Sequence, residues 1–364
     1  MLGILLCLVL PLALSSVPQR ESAQAAPPST LYAALPMRNL PGDLEAVESI
    51  LSATRQALEA RGASFVPADE LEEVLRARRI RYTDSVSVEA AAAIGSGTGA
   101  KFIILGTLLA FERGPVPRVS VTLRILDART GERTQSCVVS LRGDDFAGLL
   151  GLGAITDADE LILEVRERVL DMFTLDGAPR PGYFPNSPER HSVPASSLSR
   201  FVRAGFDPRT IEKLAVLPLS NRTSRQSVGL IFSELLAHEC FRSATVQVVE
   251  QSELRAAMVR QRVRSVEELN LKLLAQIGQD LGTRYFALGS IDTYTEEAFI
   301  QEDRFPEIEA FVRIIDVQEG EMVAAAGIHR TGFDYERLLG LGDVRDPVAL
   351  TVRVAGEILA AIGI

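Results

Sequence analysis

Val248–Ser290 reads VVEQSELRAAMVRQR, then VRSVEELNLKLLAQIGQDLG, then TRYFALGS, and the chain holds this stretch twice. Upstream, Phe65–Thr107 reads FVPADELEEVLRARR, IRYTDSVSVEAAAAIGSGTG and AKFIILGT, in ungapped register with the later copy. The identities include Val66/Val249, Glu70/Glu253, Leu71/Leu254, Arg81/Arg264, Ile94/Ile277, Gly99/Gly282 and Leu105-Gly106/Leu288-Gly289. Working outward, Tyr32–Asn39 (YAALPMRN) answers Leu214–Asn221 (LAVLPLSN), and RILDARTGE at 124–132 answers RIIDVQEGE at 313–321. LLGLG follows each hairpin, at Leu149–Gly153 and Leu338–Gly342, and leads into a terminal helix expected to be amphipathic. So long a repeat is no solenoid; it is a duplicated domain.

The chain has 364 residues, room for two domains, and 47% hydrophobic content supplies two ordinary cores. A net charge of −10 argues against a nucleic-acid or anionic-membrane surface, which needs a basic stripe. Leu2–Leu14 is an apolar run broken only by Pro11, and Ala23-Gln24-Ala25 is a small-x-small site. Residues 1–25 therefore read as a secretory signal peptide rather than a membrane span. Leu6 before Cys7 is not the small residue of a bacterial lipidation site. Cys137 and Cys240 occupy non-equivalent places and read as buried thiols.

Each copy reads β-α-β-α-α-β-β-β-α, an order that mixes crossovers with a meander. The expected fold class is α/β with a mixed sheet, two tandem domains at 31–173 and 200–364, joined by a Pro/Gly/Ser-rich linker at 174–199. A short helix is expected from Ser197 towards Lys213. Asp69 with Glu72, and Ser265 with Glu268, have capping-box spacing. Val119, Val121, Leu123 and Ile125 alternate inward with largely polar partners outward. The second copy carries six extra residues at Tyr294–Pro306, acidic and expected to form a surface loop; its carboxylates fit no Ca²⁺ loop spacing.

Motifs for chemistry are sparse. Gly95–Ala100 (GSGTGA) resembles a phosphate loop, but such a loop follows a strand and opens a helix, and this one does the reverse. Asp280 also replaces Gly97 in the second copy. The histidines are His191, His238 and His329, with no metal-ligand spacing among them. No nucleophile elbow occurs, and no cofactor is expected. The chain reads as a non-enzyme. The recurrent feature without a purely structural explanation is LLGLG. Its leucines Leu149, Leu150, Leu152, Leu338, Leu339 and Leu341 either tuck under the final helix, the favoured reading, or form a docking edge.

LAVLPLSN, VVEQSELRAAM, GQDLGTRYFALGS and RIIDVQEGE together resemble the α/β domain shared by the TolB N-terminal domain and the curli secretion protein CsgG. Leu214–Ile364 is the better match and Leu31–Phe173 the weaker. The resemblance implies a periplasmic, outer-membrane-associated assembly module with envelope proteins as partners and oligomerisation open to it. The chain departs from that family in lacking a lipidation cysteine, long amphipathic insertions and a β-propeller. Two roles follow: an interaction module using sheet edges or inter-domain surfaces, and, as the alternative, a bilobed receptor holding a small ligand in the inter-domain cleft.

Overall fold

The structure, a computed structural model, describes residues 30–80, 86–147, 152–175, 180–181, 198–243, 246–300, 303–336 and 342–364. The expected signal peptide lies outside these residues, as does His191.

In the first half, β1 (Leu31–Ala34) and the two-residue β2 (Arg38–Asn39) lead into α1 (Leu44–Ala60) and β3 (Ser64–Phe65). Next come α2 (Ala68–Ala77), α3 (Val88–Thr98) and the meander β4 (Phe102–Glu112), β5 (Arg118–Asp127) and β6 (Arg133–Arg142). Helix α4 (Ala158–Met172) and β7 (Arg180–Pro181) complete it. The second half runs β8 (Leu198–Val202), β9 (Lys213–Val216), β10 (Ser220–Asn221), α5 (Val228–Ser243), β11 (Gln247–Val248), α6 (Gln251–Arg260) and α7 (Leu271–Leu281). It ends with β12 (Tyr285–Ile300), β13 (Asp303–Asp316), β14 (Glu321–Thr331) and α8 (Pro347–Ile362).

The two sheets share one plan. Strand order is β3-β1-β4-β5-β6-β7 in one and β11-β9-β12-β13-β14-β8 in the other, with β2 and β10 beside β4 and β12. The crossover strands pair in parallel and the meander pairs antiparallel, so both sheets are mixed, as the element order requires. Helices α1 and α4 bury Ile50, Leu58, Leu161 and Val165 against Val121, Leu123 and Ile125 on one face. On the opposite face α2 and α3 cover the crossover side. In the second half α5 and α8 take the first role, and α6 and α7 the second.

Gly99 and Gly282 end α3 and α7 in the left-handed conformation open to glycine, at φ 73° and 62°. The GSGTGA segment therefore closes a helix and enters a strand.

Several local expectations are corrected. Leu198–Val202 is a strand paired antiparallel to β14, not a helix: alternate side chains Leu198 and Val202 reach the core beneath the sheet. Pro67 takes the N-cap position of α2 without a side-chain bond, which leaves Asp69 in the first turn, where its charge meets the helix dipole. Ser265 begins a 3-10 turn, and α7 starts later with Asn270 accepting from the Leu273 amide at 3.0 Å. The acidic insert does not leave the sheet; it lengthens β12 and β13, with Tyr294 and Phe305 buried. The α8 helix is amphipathic, as expected, but its buried arc is wide: Arg353, Gly356, Glu357 and Ala360 form the one less buried stripe.

Candidate interaction surface

Helices α5 and α8 are apolar on both sides because both sides are covered. One side faces their own sheet. The other faces the first half's sheet, where Ile231, Leu235, Val348 and Val352 meet Leu109 and Val138 in a small apolar cluster. At the matching positions α1 and α4 carry Ser49, Ala53, Asp159 and Leu163, of which Asp159 and Leu163 are exposed, Ser49 is half-buried and Ala53 is buried in the first unit's own core.

Around that cluster the seam is polar. The outward residues of β5, expected to face water, are Arg118, Ser120, Thr122 and Arg124, and all four are buried. Thr122 donates to Glu234, and Arg124 reaches Glu250 at 3.0 Å. Arg133 donates to the same Glu250 carboxylate. Ser136 lies 2.8 Å from Nδ1 of His238, Ser140 donates to Asp346 at 2.5 Å, and Arg142 donates to the Arg345 carbonyl at 2.9 Å. Burial alone would raise the Glu250 carboxyl; the Arg133 and Arg124 guanidiniums outweigh it and hold it below the usual carboxylate range. Burial, reinforced by the cations Arg133 and Arg242, pushes His238 down to about 3, so it is neutral at the seam.

In the second half the corresponding stretch of sheet is open. Glu307, Glu309, Phe311 and Arg313 alternate outward along β13, and Glu309, Phe311 and Arg313 are exposed. Phe311 is 37% exposed and Phe201, on the neighbouring edge, 44%; they are the exposed phenylalanines among the described residues. Register pairs Phe311 with Gly327, where the first half pairs Thr122 with Val138. A Cβ at Gly327 would stand 3.3 Å from the Phe311 ring, so glycine lets the ring lean across the strand. A depression of about 580 Å³ lies beside it, lined among others by Leu198, Ser199, Ser290, Phe311, Gly327 and His329. His329 pairs with Glu307 at 2.7 Å and Arg222 with Asp292 at 2.9 Å.

A second cavity, of about 570 Å³, sits where the halves meet, with Arg133, Lys213, Phe241, Glu250 and Glu253 in its wall. Its polar groups are engaged within the chain. Arg133 holds Glu250, Lys213 donates to the Leu281 carbonyl at 2.7 Å, and Glu253 accepts from the Val88 amide at 2.6 Å.

Of the LLGLG leucines, Leu149, Leu150, Leu338, Leu339 and Leu341 lie outside the described residues, and Leu152 is 73% exposed. The base of each loop is defined. The Ile155 amide donates to the Gly143 carbonyl at 2.9 Å, and the Val344 amide to Gly332 at 3.0 Å. A Cβ at Gly143 would stand 1.9 Å from the Ile155 oxygen, and one at Gly332 1.8 Å from the Val344 oxygen. Gly332→Ala is therefore expected to cost about 2–3 kcal/mol by forced backbone displacement, read as a lower urea midpoint at unchanged slope.

Cys137 and Cys240 are free and buried, and burial pushes both thiols up, so neither is a reactive thiolate at neutral pH. Among the described residues no cluster of His, Cys, Asp and Glu forms a metal site, and no helix is long and apolar enough to cross a membrane.

Fold and surface together define a two-unit mixed α/β protein with one sheet face covered internally and its counterpart open. No family model and no curated protein matches the chain. Solved structures do, at low identity. PelC from Paraburkholderia phytofirmans, solved as a dodecamer, is 16% identical over 46% of this chain and 96% of its own, with TM-score 0.30. The LpoB C-terminal domain from Escherichia coli is 16% identical over 35% and 88%, with TM-score 0.24. TolB from Acinetobacter baumannii is 14% identical over 46% and 31%, with TM-score 0.23.

Proposed function

We propose that this chain is an exported, non-enzymatic envelope protein that acts as a docking and assembly module, built from two copies of a CsgG/TolB-N-like domain. The observation that carries the docking reading is the open half-face of the second sheet. It presents two exposed phenylalanines among charged groups, the composition of an interface centre with a polar rim. The first half shows what such a face does in this fold, since there it seats another unit's helices. The apolar run Leu2–Leu14 supports export, and the repeated LAVLPLSN and RIIDVQEGE patterns support the envelope family. The internal pairing of the groups lining the inter-half cavity favours docking over capture of a small ligand.

The test combines fractionation with site-specific photocrosslinking in the native host. The chain is expected in the envelope fraction, shortened to about Ala26, and a crosslinker at Phe201 is expected to give a discrete protein adduct. A crosslinker at Glu48, on the polar outer face of α1, serves as control. Full-length chain in the cytosol would overturn the location, and equal labelling at both sites the docking.

A further inference from the structure

We infer that the open half-face of the second sheet is the contact surface of a twofold homodimer, in which Arg313 of each chain pairs with Glu309 of the other across apposed Phe311 rings. This deepens the docking reading and rests on it, naming a second copy of this chain as the occupant of that face.

The outward series on β13 has its own symmetry. Acidic Glu307 and Glu309 lie at one end, Phe311 in the middle and Arg313 at the other end, two residues apart at each step. An axis through Phe311, perpendicular to the strand and in the plane of contact, reverses the strand direction. It therefore brings Arg313 opposite Glu309 twice, which is the self-complementarity an isologous interface requires. Local pairs account for the other charges. His329 engages Glu307 and Arg222 engages Asp292, while Arg313 has no ion pair among the described residues and Glu309 meets only the Thr293 hydroxyl, at 3.2 Å. What each face has left over is one cation and one carboxylate. Gly327 beneath the Phe311 ring and Ser199 and Ser290 around it keep the centre low enough for two sheets to approach.

The alternative self-association repeats the internal mode, placing the α1/α4 layer of one chain on the open face of the next. The residues oppose it. Asp292 and Gly327 replace the apolar Leu109 and Val138 of the internal seam, and the helices would bring Ser49, Ala53 and Asp159 in place of Ile231, Leu235 and Val348. Asp292 would then lie near Asp159, with Glu45 and Glu48 on the same helix layer. A head-to-tail filament is disfavoured, whereas a closed face-to-face pair has matched charge.

Light scattering and sedimentation of the purified full chain test this. Wild type is expected to be dimeric. Arg313→Glu and Glu309→Arg each place like charges in contact twice and should weaken dimerisation at least about 30-fold, while the double exchange restores it. Both residues are exposed, so thermal melts at matched monomer concentration check that the variants fold. A monomeric wild type, or single exchanges that leave the dimer intact, overturns the twofold. A monomer that still yields a Phe201 adduct with an envelope protein overturns this inference alone and leaves the docking reading standing.

Discussion

Glu250→Ala is expected to lower the stability of the protein by about 3–5 kcal/mol, the cost of leaving buried cations without their counter-ion. Glu250 is the acceptor for Arg124 and Arg133, and all three side chains are about 5% exposed or less. In the wild type the triad balances a large desolvation penalty against close, hydrogen-bonded charge. Truncating the anion leaves the penalty and removes the balance. Urea unfolding measures the effect, with slope as well as midpoint reported because two halves need not unfold as one unit. The same triad spans the seam, with the arginines from the first half and the carboxylate at the start of α6 in the second. Early loosening of the seam should therefore appear as a shallower or biphasic transition. A loss below about 1 kcal/mol would show that the triad is solvated in solution and that the seam is held by its apolar centre instead.

The second large effect is on pH. His238 takes a proton below about 6.5 in an unfolded chain, but in the folded protein it stays neutral until about 3. Its contribution is therefore present in full above pH 6.5 and is lost as pH falls from 6.5 towards 3, because the unfolded state then binds the extra proton. By pH 5 the loss is about 2 kcal/mol. His238→Gln should flatten this part of the stability profile, and Gln56 stands at the matching place on α1. Denaturation midpoints of both proteins between pH 7.5 and pH 4.5 give the comparison. Parallel slopes would mean that His238 is protonated in place at the seam.

Much of the fold was legible. The repeat implied two units of one plan, the element order implied mixed sheets, and the alternation Val119, Val121, Leu123, Ile125 identified the face that packs on α1 and α4. The positive-φ glycines at 99, 131 and 282 stand where turn chemistry requires them. The seam was not read, although a signal for it existed. Val228, Ile231, Phe232, Leu235 and Leu236 spread round more of α5 than one sheet can cover, and Val348, Val352 and Val354 do the same on α8, leaving only a narrow stripe at Arg353 and Glu357. An apolar arc that wide needs a second cover.

By itself, the sequence determined which residues point towards each unit's own helices, because strand and helix periodicities report inside against outside within a single unit. Tertiary structure alone decided the fate of the other side. Arg118, Ser120, Thr122 and Arg124 read as a solvated face, and so do Glu307, Glu309 and Arg313, yet the first set is buried and Glu309 and Arg313 are exposed. Polar groups buried against polar partners look, in a linear pattern, the same as polar groups in water. Only placing Glu234, His238, Glu250 and Asp346 opposite them distinguishes the two.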